Sequence, residues 1–141
     1  MSNYLENVTI DAVFRGQPFP SIANLYFALF TTAPTAAGGG VEVSGGAYAR
    51  VAVAASLANF AGTQGATSTT ASTGTSGQTS NNTKLSFPTP TAAWGTVVAM
   101  GIFDAATGGN ELFYGPLASS QVVGIGNAVY YDPAQMTLTL S

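Results

Sequence analysis

Nine side chains carry a formal charge: Glu6, Asp11, Glu42, Asp104, Glu111, Asp132, Arg15, Arg50 and Lys84. They are the whole inventory for acid–base or metal chemistry, because the sequence has no His and no Cys. Without His, a Ser-His-Asp nucleophile cannot be assembled. Without His or Cys, zinc and iron lose nearly all their usual ligands, and disulfides and thiol nucleophiles disappear with them. Two arrangements remain. Asp104, Glu111 and Asp132 could meet in space as the carboxylate pair of a glycoside hydrolase. Asp104, the Thr107 hydroxyl, Asn110 and Glu111 offer oxygen ligands for Ca²⁺ within eight residues, although their spacing is not that of an EF-hand. Both compete with a plainer expectation. Asp104 and Glu111 flank Gly108-Gly109, so an Asp there caps a hairpin turn at its solvent-exposed end. The balance points to a non-enzymatic protein with no cofactor and no metal.

The same scarcity bounds the partners. Charged residues make up 6% of the chain, about a quarter of the usual fraction. Three cations against six anions leave no surface for tracking phosphates, so neither nucleic acid nor anionic lipid is an expected partner. Gly38-Gly39-Gly40 runs into Val-Glu-Val with no Lys-Ser or Lys-Thr, and Gly101 lies within a strand pattern, so neither is a phosphate loop. The N-terminus has no basic start and no apolar h-region, as for a chain made in a host cytoplasm. The longest strongly apolar run, Leu25 to Phe30, is too short to cross a bilayer.

The elements that must hold these residues are mostly strands. The first sixteen residues predict a short helix, with Asn3 and Glu6 as a capping box and Leu5, Val8, Ala12 and Val13 as its apolar stripe. Gly16 and Pro18 end it. Asn24–Thr31 predicts a buried strand, residues 35–46 a glycine-rich loop, and Ala47–Ala55 a strand with a small-residue face. Further strands are expected at Lys84–Phe87, Thr96–Asp104 and Glu111–Tyr114, the last two joined by a turn at Ala105–Asn110. A second hairpin is expected from Gln121–Ile125 to Ala128–Tyr131, and Met136–Leu140 alternates as an edge strand. Strands at this spacing, punctuated by Gly and Pro, predict a mainly β fold: an antiparallel sandwich of jelly-roll or Ig-like type with a short N-terminal helix. The organisation expected is a docking segment at 1–20 and one sandwich domain at 21–141.

Residues 61–83 interrupt that pattern. They are Ser, Thr, Gly, Ala, Asn and Gln throughout, and cannot offset their ordering entropy alone. They are expected to be either a mobile surface loop or a Thr-rich arm ordered by a neighbouring subunit. Gly62, Gln64, Thr75, Gln78 and Asn81 are the residues expected to be exposed there. Trp94, Tyr114, Tyr130 and Tyr131 either pack inside or form a sugar-stacking platform.

Three segments carry a resemblance: Leu25 to Thr35, Gly45 to Arg50, and Trp94 to Gly115. In this order they resemble a family of small virion structural proteins of tailed bacteriophages, often labelled tail-fibre proteins and including capsid-surface components. The resemblance spans residues 22 to 141, with residues 61–83 as an insertion. It implies a protein on the virion exterior, present in many copies, with no catalytic motif. Strands nearly free of charge suit homotypic packing, because burying Thr costs far less than burying a charge. The expectation is a capsid decoration (cement) protein, a homotrimer seated on the major capsid protein or another virion protein. Leu5, Val8, Val13, Phe14, Arg15 and Arg50, with Lys84, would do the docking. The alternative is a tail- or head-fibre module that binds a host surface receptor or glycan.

Overall fold

The computed structural model of the chain describes residues 1–140. The fold is mainly β, with antiparallel sheets and one N-terminal helix. Helix α1 spans Asn3–Phe14. Its cap is Ser2, one position before the expected Asn3. Ser2 is extended (φ −82, ψ 158), and its Oγ accepts from Leu5 N–H at 3.2 Å, as an N-cap requires. Gly16 takes φ 69 and ends the helix, as its position predicts. The predicted apolar stripe is not a buried stripe. Of the helix only Leu5 is buried, while Val13 and Phe14 are 67% and 80% exposed. The first turn ties the helix to the body: Ser2 N–H donates to Leu112 O at 3.0 Å, Ser2 Oγ to Glu111 O, and Asn3 N–H to Ala36 O at 2.8 Å. At ~1.5 Å per residue, the free end lies about 18 Å from that anchor.

Strands β1 (Asn24–Thr32) and β6 (Gly95–Phe103) form the centre of the main sheet. They pair from Tyr26 opposite Phe103 to Phe30 opposite Ala99. The far edge of β6 pairs with β7 (Glu111–Val123). The far edge of β1 is shared by two short strands, β2 (Val41–Glu42) at Phe30–Thr32 and β3 (Val51–Ala54) at Asn24–Phe27. Two small ladders complete the fold: β4 (Gln78–Ser80) with β9 (Thr137–Thr139), and β5 (Leu85–Ser86) with β8 (Tyr130–Tyr131). The core lies between the main sheet and these ladders. Phe27, Leu29, Val97, Met100 and Ile102 meet Leu85, Phe87 and Val129 there. The alternate residues Ala28, Phe30 and Ala99 cluster on the other face, with Phe103 against them. A strand's two-residue period puts its neighbours on opposite faces, so β6 serves both layers.

Three expectations change. Residues 35–46 are not all loop, since β2 falls among them, and the strand expected over 47–55 shortens to β3. The hairpin expected across Gly126-Asn127 does not form. Gln121–Val123 finishes β7, while Tyr130–Tyr131 pairs with β5 instead. Residues 61–83 are held by their own chain. Ser76 Oγ donates to Thr63 O at 2.7 Å and closes the base of a compact loop. The Gln64 side chain organises its interior, donating to Thr70 Oγ1 and Ala71 O at 2.8 Å each. The segment then pairs, as its Thr content suggested, but with β9 of the same chain.

Candidate functional site

The expected site residues do not converge. Asp104 is a turn cap: its Oδ1 accepts from Asn110 N–H at 2.7 Å and its Oδ2 from the Asn110 side chain at 2.8 Å. Asp132 faces Lys84 at 3.7 Å on the surface. Among the described residues no group of three or more acidic residues lies close enough to hold a metal. The expected Ca²⁺ ligands are turned to other uses: Asp104 spends both carboxylate oxygens on Asn110, and the Glu111 carboxylate is buried.

Arg50, expected at a docking surface, is engaged within its own chain. Its Nε and one terminal nitrogen grip both Glu42 carboxylate oxygens at 2.8 Å. The other terminal nitrogen donates to Ala105 O at 2.8 Å and Gly108 O at 2.9 Å, and the guanidinium lies 3.7 Å from the centre of the Phe103 ring. The side chain is 7% exposed. Hydrogen bonding to Glu42 raises its pKa further, so it is a fixed cation that clamps the β6–β7 turn to β2. Tyr48 extends the network. Its hydroxyl donates to Glu42 Oε1 and accepts from Leu29 N–H, both at 2.9 Å. Leu29 sits in the gap between β2 and β3, so a tyrosine hydroxyl supplies the partner that the missing strand residue would have supplied. Burial pushes that hydroxyl well above the ordinary tyrosine range.

Asn81 is likewise not an exposed loop residue. It is 1% exposed. Its side-chain nitrogen donates to Thr83 O at 2.8 Å and Asp132 O at 2.9 Å, and its oxygen accepts from Met136 N–H at 2.9 Å. Gly62 is buried as well, whereas Gln64, Thr75 and Gln78 are exposed. Leu5 is turned into its own subunit, Val8 is half-buried, and Val13, Phe14 and Arg15 are open to solvent. The four aromatics do not all meet: Tyr114, Tyr130 and Tyr131 border one groove, and Trp94 lies apart from it. Trp94 is buried, donates to Gly46 O at 3.0 Å and meets Tyr48 edge-on at 5.3 Å. Tyr130 and Tyr131 are consecutive on β8 and so face opposite ways. Tyr114 stands opposite Gly101 on the second face of the main sheet.

Two concavities stand out among the described residues, one on each side of the main sheet. The groove, about 580 Å³, runs between β7 and residues 130–138 and includes Met100, Ile102, Phe113, Gln121, Tyr131 and Gln135. No charged residue lines it. The Tyr131 hydroxyl is buried with no hydrogen-bond partner among the described residues, and burial raises its pKa. The cleft, about 550 Å³, lies at the first turn of α1 between Phe30, Phe103, Tyr4 and the loop of Gly38 to Gly40, with Glu42, Arg50 and Glu111 in its lining. Glu111 is the residue the sequence misplaced. It is 8% exposed, and both of its carboxylate oxygens lack a partner among the described residues. Desolvation raises its pKa, against the positive charges of the Met1 amino group and Arg50. A register shift between Ile102 and Phe103 accompanies its inward turn, which a simple hairpin alternation does not anticipate.

A low-charge β protein that puts an apolar helix end outward and has an uncharged groove suits an assembly role better than a catalytic one. The family comparison agrees: a family described as podophage GP4 fiber I protein gp80 matches residues 1–139. The chain belongs to that family. It is thus a member of a phage virion structural family, as its three segments suggested, and the match runs from α1 through residues 61–83 to β9. No curated protein matches the chain. The cleft and the groove each border a buried polar group without a partner, Glu111 and Tyr131; Asn82 Oδ1 is a third such atom, away from both. No helix among the described residues is long and apolar enough to cross a membrane.

Proposed function

We propose that the chain is a non-enzymatic structural subunit on the virion exterior that builds a fibre from identical copies. The observation that carries this is the free end of α1, where Ile10, Val13 and Phe14, followed by Phe19, are each more than half exposed. Apolar residues clustered this way on a chain with so few charges are suited to being covered by another protein surface. The family description, a fibre protein, supports this reading, and the capsid decoration that the sequence put first fits it equally. Quantitative mass spectrometry of purified particles, with gold labelling of the chain, tests the choice. Few copies confined to the tail support the fibre. Many copies spread over the shell, with particles that lose thermal stability without them, would replace it with decoration.

A receptor-binding role is a second reading, favoured by the groove. Its lining is uncharged and includes the polar side chains of Gln121, Gln135 and Thr137, which suit a neutral glycan held by hydrogen bonds. Particles carrying Gln121→Ala and Gln135→Ala would then assemble normally and adsorb poorly. Normal adsorption would remove this role.

A further inference from the structure

We propose that the cleft around Glu111 receives the helix end of a second copy of this chain, with Arg15 of that copy meeting the Glu111 carboxylate. The contact rests on the chain being a self-assembling subunit, and names its joint. The starting point is a carboxylate with both oxygens buried and unpartnered, a strongly unfavourable state unless a cation reaches it. Two positive charges lie within its field and neither bonds to it: Arg50 is occupied by Glu42, Ala105 O and Gly108 O, and the Met1 amino group makes no hydrogen bond to either oxygen. Nor is the carboxylate squeezed in by accident. A Cβ at Gly101 would stand 3.2 Å from Glu111 Oε1 and 2.9 Å from each of the Phe30 and Phe103 rings, so the absence of a side chain there leaves the space that Glu111 uses.

The cleft offers an apolar wall of Phe30, Phe103 and Tyr4 beside one excess negative charge, since Glu42 and Arg50 cancel. Its occupant must carry a cation next to apolar bulk. Of the three cations in the sequence, Arg50 is spent. Lys84 lies 3.8 Å from the centre of the Tyr130 ring and faces Asp132. Arg15 remains. Its side chain is 70% exposed, it touches only Asp11 on the same helix, and it follows Phe14 and Val13, the two most exposed large apolar residues of α1. An exposed pair such as Arg15–Asp11 holds little energy, so Arg15 is easily redirected. A guanidinium fork can serve both oxygens of a carboxylate at once. Cleft and helix end are separate surfaces about 18 Å apart along α1. Made head to tail, the contact closes a ring such as a trimer or continues as a filament; made reciprocally across a two-fold axis, it gives a dimer with each helix end in the other copy's cleft.

Sedimentation velocity over a concentration series tests this on the full chain, with thermal unfolding measured alongside. The variants are Arg15→Glu, Glu111→Gln, Lys84→Glu and the double Arg15→Gln/Glu111→Gln. The wild type is expected to associate. Arg15→Glu and Glu111→Gln should each weaken association by at least about thirtyfold, the scale of breaking a buried charge pair. The double variant should associate no more weakly than the weaker single, and Lys84→Glu should match the wild type. Glu111→Gln should also raise the unfolding temperature of the separated subunit. A wild type that stays monomeric throughout overturns both the contact and self-assembly. A wild type that associates while Arg15→Glu associates equally well overturns the contact alone, as does loss of association in Lys84→Glu. A lower unfolding temperature for Glu111→Gln would mean that the carboxylate has its partner within one copy, and would also overturn the contact.

Discussion

Replacing Asn81 by Ala should be among the most damaging single changes available in residues 61–83. The side chain is buried and makes three bonds of 2.8–2.9 Å, to Thr83 O, to Asp132 O and from Met136 N–H. A net loss of about 1 kcal/mol per bond gives roughly 3 kcal/mol, before any added cost from leaving the Met136 amide without its partner. For a chain of this size, each kcal/mol lowers Tm by about 3–4 °C, so the expected fall is about 10 °C. Total stability of about 5–15 kcal/mol should keep the variant folded enough to measure. Calorimetry with urea titration gives the number. Amide hydrogen exchange should show faster exchange at Met136, because that N–H donates to the lost Asn81 oxygen. The control is Gln78→Ala, which removes a polar side chain of similar size from an exposed position on β4 and should stay within about 0.5 kcal/mol of wild type. If Asn81→Ala is no worse than Gln78→Ala, Asn81 does not pin residues 61–83 to the 131–136 turn, and the reasoning fails.

Tyr48→Phe keeps the ring against Trp94 but deprives Leu29 N–H and Glu42 of a partner. A loss of about 1–3 kcal/mol in urea unfolding is expected, and no change would mean that water replaces the hydroxyl. Glu111 has a raised folded pKa, so the folded chain holds its proton at pH values where the unfolded chain has released it. The stability it contributes is present below the ordinary carboxylate range and is lost as pH rises through the raised value. Glu111→Gln should flatten that part of the pH–stability curve of the separated subunit; an unchanged slope would reject the assignment. Excising residues 65–73 and joining the ends with two glycines should shift stability by less than about 1 kcal/mol, since Thr63 and Ser76 already hold the base together. A large loss on calorimetry would show that the loop supports the core.

The central strands were legible because their chemistry is local. Leu25 to Phe30 and Val97 to Phe103 are dense in apolar side chains, and Gly108-Gly109 marks the turn between β6 and β7. The capping error arose because Ser2 and Asn3 are both good caps, and the ties to Leu112, Glu111 and Ala36 that select Ser2 are distant in sequence. Distance also hid the β5–β8 and β4–β9 ladders, which join segments about 45 and about 60 residues apart. The buried Asn81 and Arg50 were unreadable for a related reason. Each is surrounded in sequence by small polar or small apolar residues, and only the fold reveals that backbone carbonyls converge on it. Glu111 had one usable signal. It sits directly before Leu112-Phe113 and answers a glycine, Gly101, in the partner strand; a space left in one strand hints at a side chain arriving from the next.

The alternation of β6 has a consequence for how such a protein can diversify. Met100 and Ile102 border the groove, whereas Ala99, Gly101 and Phe103 belong to the face that carries the cleft. From Ala99 to Phe103, alternate positions are thus written to separate surfaces, the irregularity between Val97 and Ala99 having reset the count before them. Point changes at even positions can remodel what the groove meets while the joint between copies is inherited intact, and the reverse holds as well. A single inserted or deleted residue in the same stretch would exchange the two sets at once. Lineages should therefore accept size-matched substitutions along β6, Gly101 excepted, far more readily than length changes.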